Sequence, residues 1–311
     1  MSTIDAPKKR RRTAQLVLLA AVVVAAGLIG TALLLDGARP ARTPAQRKAT
    51  VYARYAESDW PKLGDPRPGE WLSVFPEPGQ TYDEYVRATR HRRSNRRDTI
   101  YLQRLGPMDT ETAAALAHMA EFTAVFFACE VKVLPPAELP EAAYVSRRRQ
   151  YDASYILDRM ARHVPDDALA YVGVTTNDLF SGKLSFVFGL ASLRRRVAIY
   201  SLCRYGEPGT PEFLRRALKV MAHETGHVLG LQHCIFYCCC MNGSNSLAES
   251  DSQPLHYCPL CHDKLRHALG FDPVERFEKL AAFYDKVGLK DDAQFVRERL
   301  AHFTASTAEE H

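Results

Sequence analysis

The chain has 311 residues, 46% of them apolar and 25% charged, with a net charge of +5. These are ordinary proportions for one or two globular domains. Five cations, Lys8, Lys9, Arg10, Arg11 and Arg12, stand before residue 36 against Asp5 alone. The remainder is therefore close to neutral, and nothing global argues for a nucleic-acid partner.

The run from Ala14 to Leu35, AQLVLLAAVVVAAGLIGTALLL, is 22 residues without a charge, enough to cross a bilayer as a helix. It is longer than the apolar core of a signal peptide, about 7–15 residues, and the DGARPAR that follows offers no clean small-x-small cleavage site. It reads as an uncleaved, single-pass transmembrane helix whose partner is the lipid bilayer. The basic run on its N-terminal side places residues 1–13 in the cytoplasm and everything from Asp36 onward outside. Residues 36–67, rich in Pro, Ala, Gly and basic side chains, read as a tether. Residues 68–98 are mixed, with turn signals. Their basic cluster, His91 to Arg97, reads as solvated surface, as do Arg147–Arg149 and Arg194–Arg196.

From Thr99 the pattern becomes regular. TIYLQRL predicts a short strand. DTETAAALAHMAEFTAVFF predicts a helix capped by Asp109. CEVKVL predicts a strand ending at Pro135–Pro136, and QYDASYILDRMARHV a second helix. ALAYVGVTT, LSFVFGLA and VAIYSLC predict three more strands. Alternating strands and helices imply an α/β fold with a mostly parallel, twisted sheet. A further helix follows, with Thr210 as cap, Pro211 in its first turn and an apolar stripe of Leu214, Ala217, Leu218 and Met221. From Pro259 to His302 the pattern is helical again. Cys129 and Cys203 lie in apolar, strand-like surroundings and are expected to be buried.

His223 and His227 sit four residues apart in HETGHVLGLQHC, so on a helix they share one face and can converge on one ion. Glu224 lies beside that face, placed to reach a water rather than to serve as a third ligand. Gly230 marks where the helix must turn, and His233 returns as a third imidazole. Three neutral nitrogens leave a fourth zinc position open, as catalytic zinc requires. The chemistry expected is peptide-bond hydrolysis, with Glu224 accepting the proton of the attacking water and delivering it to the leaving amine. A non-catalytic, metal-stabilised binding protein of the same fold is the alternative, and the intact Glu224 counts against it.

Six of the eight cysteines fall between Cys234 and Cys261. Cys258 and Cys261 form a C-x-x-C knuckle, and two more ligands would come from among Cys234, Cys238, Cys239 and Cys240. In an extended chain Cys239 would point away from Cys238 and Cys240, so one ion takes Cys239 or one of its neighbours. Disulfides are the alternative use of these residues.

The pattern HETGHVLGLQHC, then four residues, Cys239, one residue, Met241 and later CPLC resembles the archaemetzincins, a family of metzincin-type zinc metallopeptidases. RRRQYDAS, YVGVTTNDLF, LSFVFG and MNGSNSLAESDSQPLHYCPLC are similar to that family as well. The resemblance covers roughly Thr99 to Tyr284. It implies a metzincin-like catalytic domain, 99–303 with 68–98 as its N-terminal extension, a cleft between the edge strand and the active-site helix, and Met241 beneath the zinc. It also selects Cys234 and Cys239 to join Cys258 and Cys261 around a second, structural zinc. Two zinc ions per chain are then expected, with Cys238 and Cys240 free or oxidised, and a peptide or protein as substrate.

Overall fold

In a computed structural model, which describes residues 60–308, the chain builds a layered α/β domain. The basic N-terminus, the helix expected over Ala14–Leu35 and the tether up to residue 59 lie outside the described residues. Among the described residues no helix is long and apolar enough to cross a membrane. Residues 60–67, assigned to the tether on composition, join the domain. Trp60 is buried, its Nε1 donates to the Cys238 carbonyl at 2.6 Å, and Leu63 N donates to Phe236 O at 3.2 Å.

Two short helices, α1 (Trp71–Val74) and α2 (Tyr82–Ala88), precede the sheet. Then follow β1 (Thr99–Leu105), α3 (Thr110–Phe127), β2 (Glu130–Ala137), β3 (Tyr144–Val145), β4 (Gln150–Asp152), α4 (Ala153–Met160), β5 (Ala168–Thr175), β6 (Leu179–Phe180), β7 (Gly189–Ser192) and β8 (Val197–Ser201). The chain ends in α5 (Pro211–Val228), α6 (Leu247–Ser252), α7 (Pro259–Leu269), α8 (Pro273–Lys286) and α9 (Lys290–Ala308). The main sheet has the order β2-β1-β5-β8-β7. All its pairings are parallel except β7 with β8, so the mostly parallel sheet is observed with one antiparallel edge strand. Every residue of the central β5 is buried, as a strand covered on both faces must be. One core, with Phe122, Phe126, Leu218 and Met221, fills the α3 and α5 side. A second, with Ile156, Leu157 and Met160 of α4, fills the other.

Several elements differ from their sequence patterns. β2 runs through Pro135 and Pro136, which an edge strand tolerates because one side of its ladder needs no N–H; Gln103 Nε2 reaches the Pro135 carbonyl at 2.9 Å. The segment beginning at Gln150 starts as a strand. Its helix begins only at Ala153, because the Asp152 carboxylate accepts from Ser154 N at 2.9 Å and fixes the cap there. β4 joins β3 and β6 in a small second sheet that the periodicity did not indicate. LSFVFGLA forms a strand only from Gly189, and the preceding Leu184–Phe188 line a cleft instead. Cys129 is buried, but Cys203 is exposed: β8 has ended and the chain turns, leaving its thiol facing Asp178 Oδ1 at 3.4 Å.

Candidate metal centres and cleft

α5 carries the first constellation. Thr210 caps it, accepting from Phe213 N at 3.2 Å, and Pro211 occupies the first turn. Leu214, Ala217, Leu218 and Met221 are all buried, which turns His223, Glu224 and His227 toward the cleft. At the C-terminus Gly230 takes φ +90°. Leu231 N donates to Gly226 O at 3.0 Å and Gly230 N to His227 O at 2.9 Å, the paired bonds of a Schellman turn. That turn reverses the chain and brings His233 back to the helix face.

The imidazole atoms of His223, His227 and His233 lie within 4.8 Å of one another. Their orientation is set by acceptors behind them. His223 Nδ1 donates to the Cys240 carbonyl at 2.8 Å, His227 Nδ1 to the Leu231 carbonyl at 2.7 Å, and His233 Nδ1 to the Glu77 carboxylate at 2.8 Å. Carbonyl and carboxylate oxygens can only accept, so each ring carries its proton on Nδ1 and presents an Nε2 lone pair. The Nε2 atoms of His223 and His227 are 3.0 Å apart. Two lone pairs facing each other at that distance repel unless a cation lies between them, and nitrogens sharing a tetrahedral zinc stand about 3.3 Å apart. Burial lowers His223 well below the ordinary histidine range and His227 to about 3, so both are neutral donors at neutral pH. The donor set fits zinc.

Glu224 is 6% exposed. Its carboxylate has no hydrogen-bond partner among the described side chains, and burial raises its pKa to about 8. β7 approaches so closely that a Cβ on Gly189 would stand 2.5 Å from Glu224 Oε1. On the opposite side of α5, a Cβ on Gly226 would meet Met241 Sδ at 2.7 Å and the Tyr257 hydroxyl at 2.3 Å. Met241, fully buried, therefore packs directly under the histidine-bearing turn, and the two glycines let a strand and a methionine close on the helix.

Cys234, Cys239, Cys258 and Cys261 form the second constellation, their sulfurs also within 4.8 Å of one another. Cys234 and Cys258 Sγ are 3.7 Å apart, too far for a disulfide bond of about 2.05 Å. Sulfurs sharing one zinc with Zn–S near 2.3 Å stand about 3.8 Å apart. All eight cysteines are free thiols. Thiol hydrogen bonds from Cys239, Cys258 and Cys261 push Cys234 down, while burial pushes Cys239 up; one cation would resolve that conflict by taking all four as thiolates. Backbone N–H groups of Met241 and Cys258 point at Cys239 Sγ from 3.4 and 3.2 Å. Buried Asn242 staples the loop, donating to Cys234 O at 2.6 Å and Tyr237 O at 3.0 Å and accepting from Cys239 N at 2.7 Å. The loop is a turn here, with Asn242 N bonded to Cys239 O at 3.0 Å, rather than the extended chain considered from sequence. Cys238 consequently faces the Lys62 carbonyl, and Cys240 the Lys219 carbonyl; neither joins the cluster.

The N-terminal extension supplies what sequence reasoning missed. Glu77 accepts from His233 and from Trp71 Nε1, the latter at 2.7 Å. Burial opposes its charge, yet these bonds outweigh burial and hold the carboxyl below its ordinary range. The Trp71 ring stands edge-on to His233 at 5.2 Å. Gln80 Nε2 and the Tyr85 hydroxyl donate to the carbonyls of Gly230 and Leu229, clamping the turn before His233. Glu77 follows Pro76 in a stretch without periodicity, so no local signal marked it.

The sequence profile of peptidase family M54 matches residues 125–267. Archaemetzincin-2 of Mus musculus is 31% identical over 260 residues, spanning 70% of this chain and 72% of that protein. The archaemetzincin of Pyrococcus furiosus is 37% identical over 183 residues, spanning 56% of this chain and 95% of its own length. The crystal structure of the Methanopyrus kandleri archaemetzincin superposes with a TM-score of 0.51 at 30% identity, covering 57% of this chain and 97% of that one. With a histidine triad, two of its members on one helix and the third returned by a turn, a buried methionine beneath it and relatives matched along most of their length, the chain belongs to the archaemetzincin family of zinc metallopeptidases.

Proposed function

We propose that the chain is a membrane-anchored peptidase in which His223, His227 and His233 hold a catalytic zinc, Glu224 is the general base, and Cys234, Cys239, Cys258 and Cys261 hold a second, structural zinc. The observation that carries this reading is the convergence of three Nε2 atoms whose Nδ1 protons are already committed, with an unpartnered carboxylate beside them in an open cleft. Zinc, when bound, polarises a scissile carbonyl and acidifies a water. Glu224, whose charged form is favoured against burial by a zinc ion at the three histidines, then takes the proton of the attacking water and returns it to the leaving nitrogen. β7, the antiparallel edge of the sheet, flanks the cleft and offers backbone groups to an extended peptide. Incubating purified protein with a proteome-derived peptide library, with and without a zinc chelator, tests this. New peptide termini that vanish with chelation and return with zinc are expected; their absence from the zinc-loaded protein would reject peptidase activity.

Glu77 should matter through His233. Glu77→Ala is expected to weaken zinc binding at the histidine site by about 10–100-fold, the usual effect of losing the acceptor behind a ligand. Competition with a chromogenic chelator reads this directly. The cysteine-bound zinc should be retained, and an unchanged affinity at both sites would show that Glu77 only packs.

The anchor belongs to the same proposal. Residues 14–35 span the bilayer and the catalytic domain, 99–303 with 68–98, lies outside the cytoplasm. External protease added to intact cells is expected to digest the C-terminal region. Protection of that region until the membrane is broken would place it on the cytoplasmic side.

A further inference from the structure

The cleft, about 280 Å³, has a mixed lining. Phe186 and Phe188 are among its apolar residues, and Ser244, Ser250, Gln253 and Lys219 among its polar ones. Lys219 is 2% exposed and lies on α5 four residues before His223. One helical turn separates them, about 6 Å along the axis, so both face the same side of α5. An ammonium has three N–H donors. Two go to the carbonyls of Ser250 and Gln253. The third has no acceptor among the described residues. No carboxylate pairs with it either. Of the three acids whose charge could reach it, Asp251 is engaged by Arg216 and Asp292 by Arg215, while the Cys240 thiol donates to the Lys219 carbonyl and is kept protonated by burial, which pushes it up to about 12. A buried cation without a counter-ion is costly unless something else completes it. Burial lowers its pKa only to about 8, so the charged form predominates at neutral pH.

We infer that Lys219 is a specificity residue whose free N–H receives a carboxylate of the peptide substrate, carried by the residue next to the scissile bond. The inference rests on the peptidase reading of the histidine site and adds the substrate class. The helical turn between Lys219 and His223 matches the reach of one side chain from a carbonyl held at the three histidines. Glutamate or aspartate can supply that carboxylate from a side chain, and a chain terminus can supply it from the main chain. The second source would make the enzyme a carboxypeptidase.

The test uses the zinc-loaded full chain and short peptide hydroxamates, which bind a histidine-held zinc. One set carries Glu or Gln at the position beside the hydroxamate, each with a free or an amidated C-terminus. The Glu or free-carboxylate member is expected to bind about 10–100-fold tighter than its neutral counterpart, the range for one charge-assisted hydrogen bond. A preference tied to Glu identifies the side chain as the source, and one tied to the free terminus identifies the main chain. Lys219→Met should abolish the preference, read as the ratio of charged to neutral affinity within each variant, and Lys219→Arg should retain it. Lys219→Gln, which can still donate to the Ser250 and Gln253 carbonyls, repeats the test should the methionine variant fail to fold. Equal affinity for charged and neutral members in the parent, or a preference that survives loss of the lysine, overturns the inference. Cleavage of library peptides decides the underlying reading separately. A chain that prefers the carboxylate hydroxamate yet cleaves nothing keeps the Lys219 site and loses the peptidase function. One that cleaves peptides without that preference does the reverse.

Discussion

Glu224→Ala is expected to lower kcat/KM on any cleaved peptide by about 10³-fold or more, with zinc content unchanged. The argument is one of position. Glu224 follows His223 by one residue, which turns it about 100° around α5, off the face where the two imidazoles meet. It contributes no hydrogen bond that holds a histidine, since the three acceptors behind the triad are Cys240 O, Leu231 O and Glu77. Removing its carboxylate therefore takes away a proton acceptor and leaves the ligands in place. Glu224→Gln keeps the volume beside Gly189 and should lose activity to a similar degree. Its stability should equal or exceed that of the parent, because a buried carboxyl group held above its ordinary pKa costs more folding free energy at neutral pH than an amide does. Retention of more than a tenth of the parent activity in either variant would remove Glu224 from the chemistry.

Cys258→Ser is expected to lose one zinc per chain and to lower stability by at least about 3 kcal/mol, since structural zinc contributes folding energy outright. The four sulfurs tie the loop after α5 to the start of α7, where Cys258 is the cap and Cys261 lies in the first turn. Activity should fall as well. His223 is oriented by the Cys240 carbonyl, next in the chain to Cys239, and Cys240 N is held by His256 O at 2.9 Å. Loosening the cysteine cluster thus loosens the acceptor behind a catalytic ligand. Cys238→Ser should change neither zinc content nor stability, because among the described residues its thiol bonds the Lys62 carbonyl, at 3.6 Å, and stands outside the cysteine cluster. Metal analysis together with urea unfolding of the two variants distinguishes these roles.

The parts of this fold that could be read from sequence are those whose signal is local and periodic. Thr99–Leu105, the Asp109-capped helix, Ala168–Thr175 and the Thr210-capped α5 each combine a cap or turn residue with a clean apolar period. The histidines were legible because two of them share a helix face and the third follows a glycine. The cysteine choice was legible only through the family resemblance. C-x-x-C spacing fixed Cys258 and Cys261, but the other two ligands depended on a turn held by Asn242, a residue whose side-chain bonds leave no trace in spacing. Strand length failed at Leu184–Phe188, where Leu184, Phe186, Val187 and Phe188 line a cleft and backbone pairing among the described residues is limited to a single bridge from Val187 to Leu179 and one bond at Phe188. Glu77 and Trp71 escaped notice because they reach His233 across more than 150 positions of chain. Lys219 was passed over for a related reason: on sequence it is one more helical lysine, and only the fold reveals that it is buried without a counter-ion.

Stepwise chelation, followed by zinc analysis, peptide cleavage and circular dichroism on the same samples, tests the two-site account most directly. The open histidine site should empty first. Cleavage should then disappear after close to one zinc per chain has left, with secondary structure intact. The buried cysteine site should empty later, and its loss should coincide with unfolding. A chain that holds a single zinc, or one in which cleavage and structure collapse together in one step, would contradict separate catalytic and structural ions.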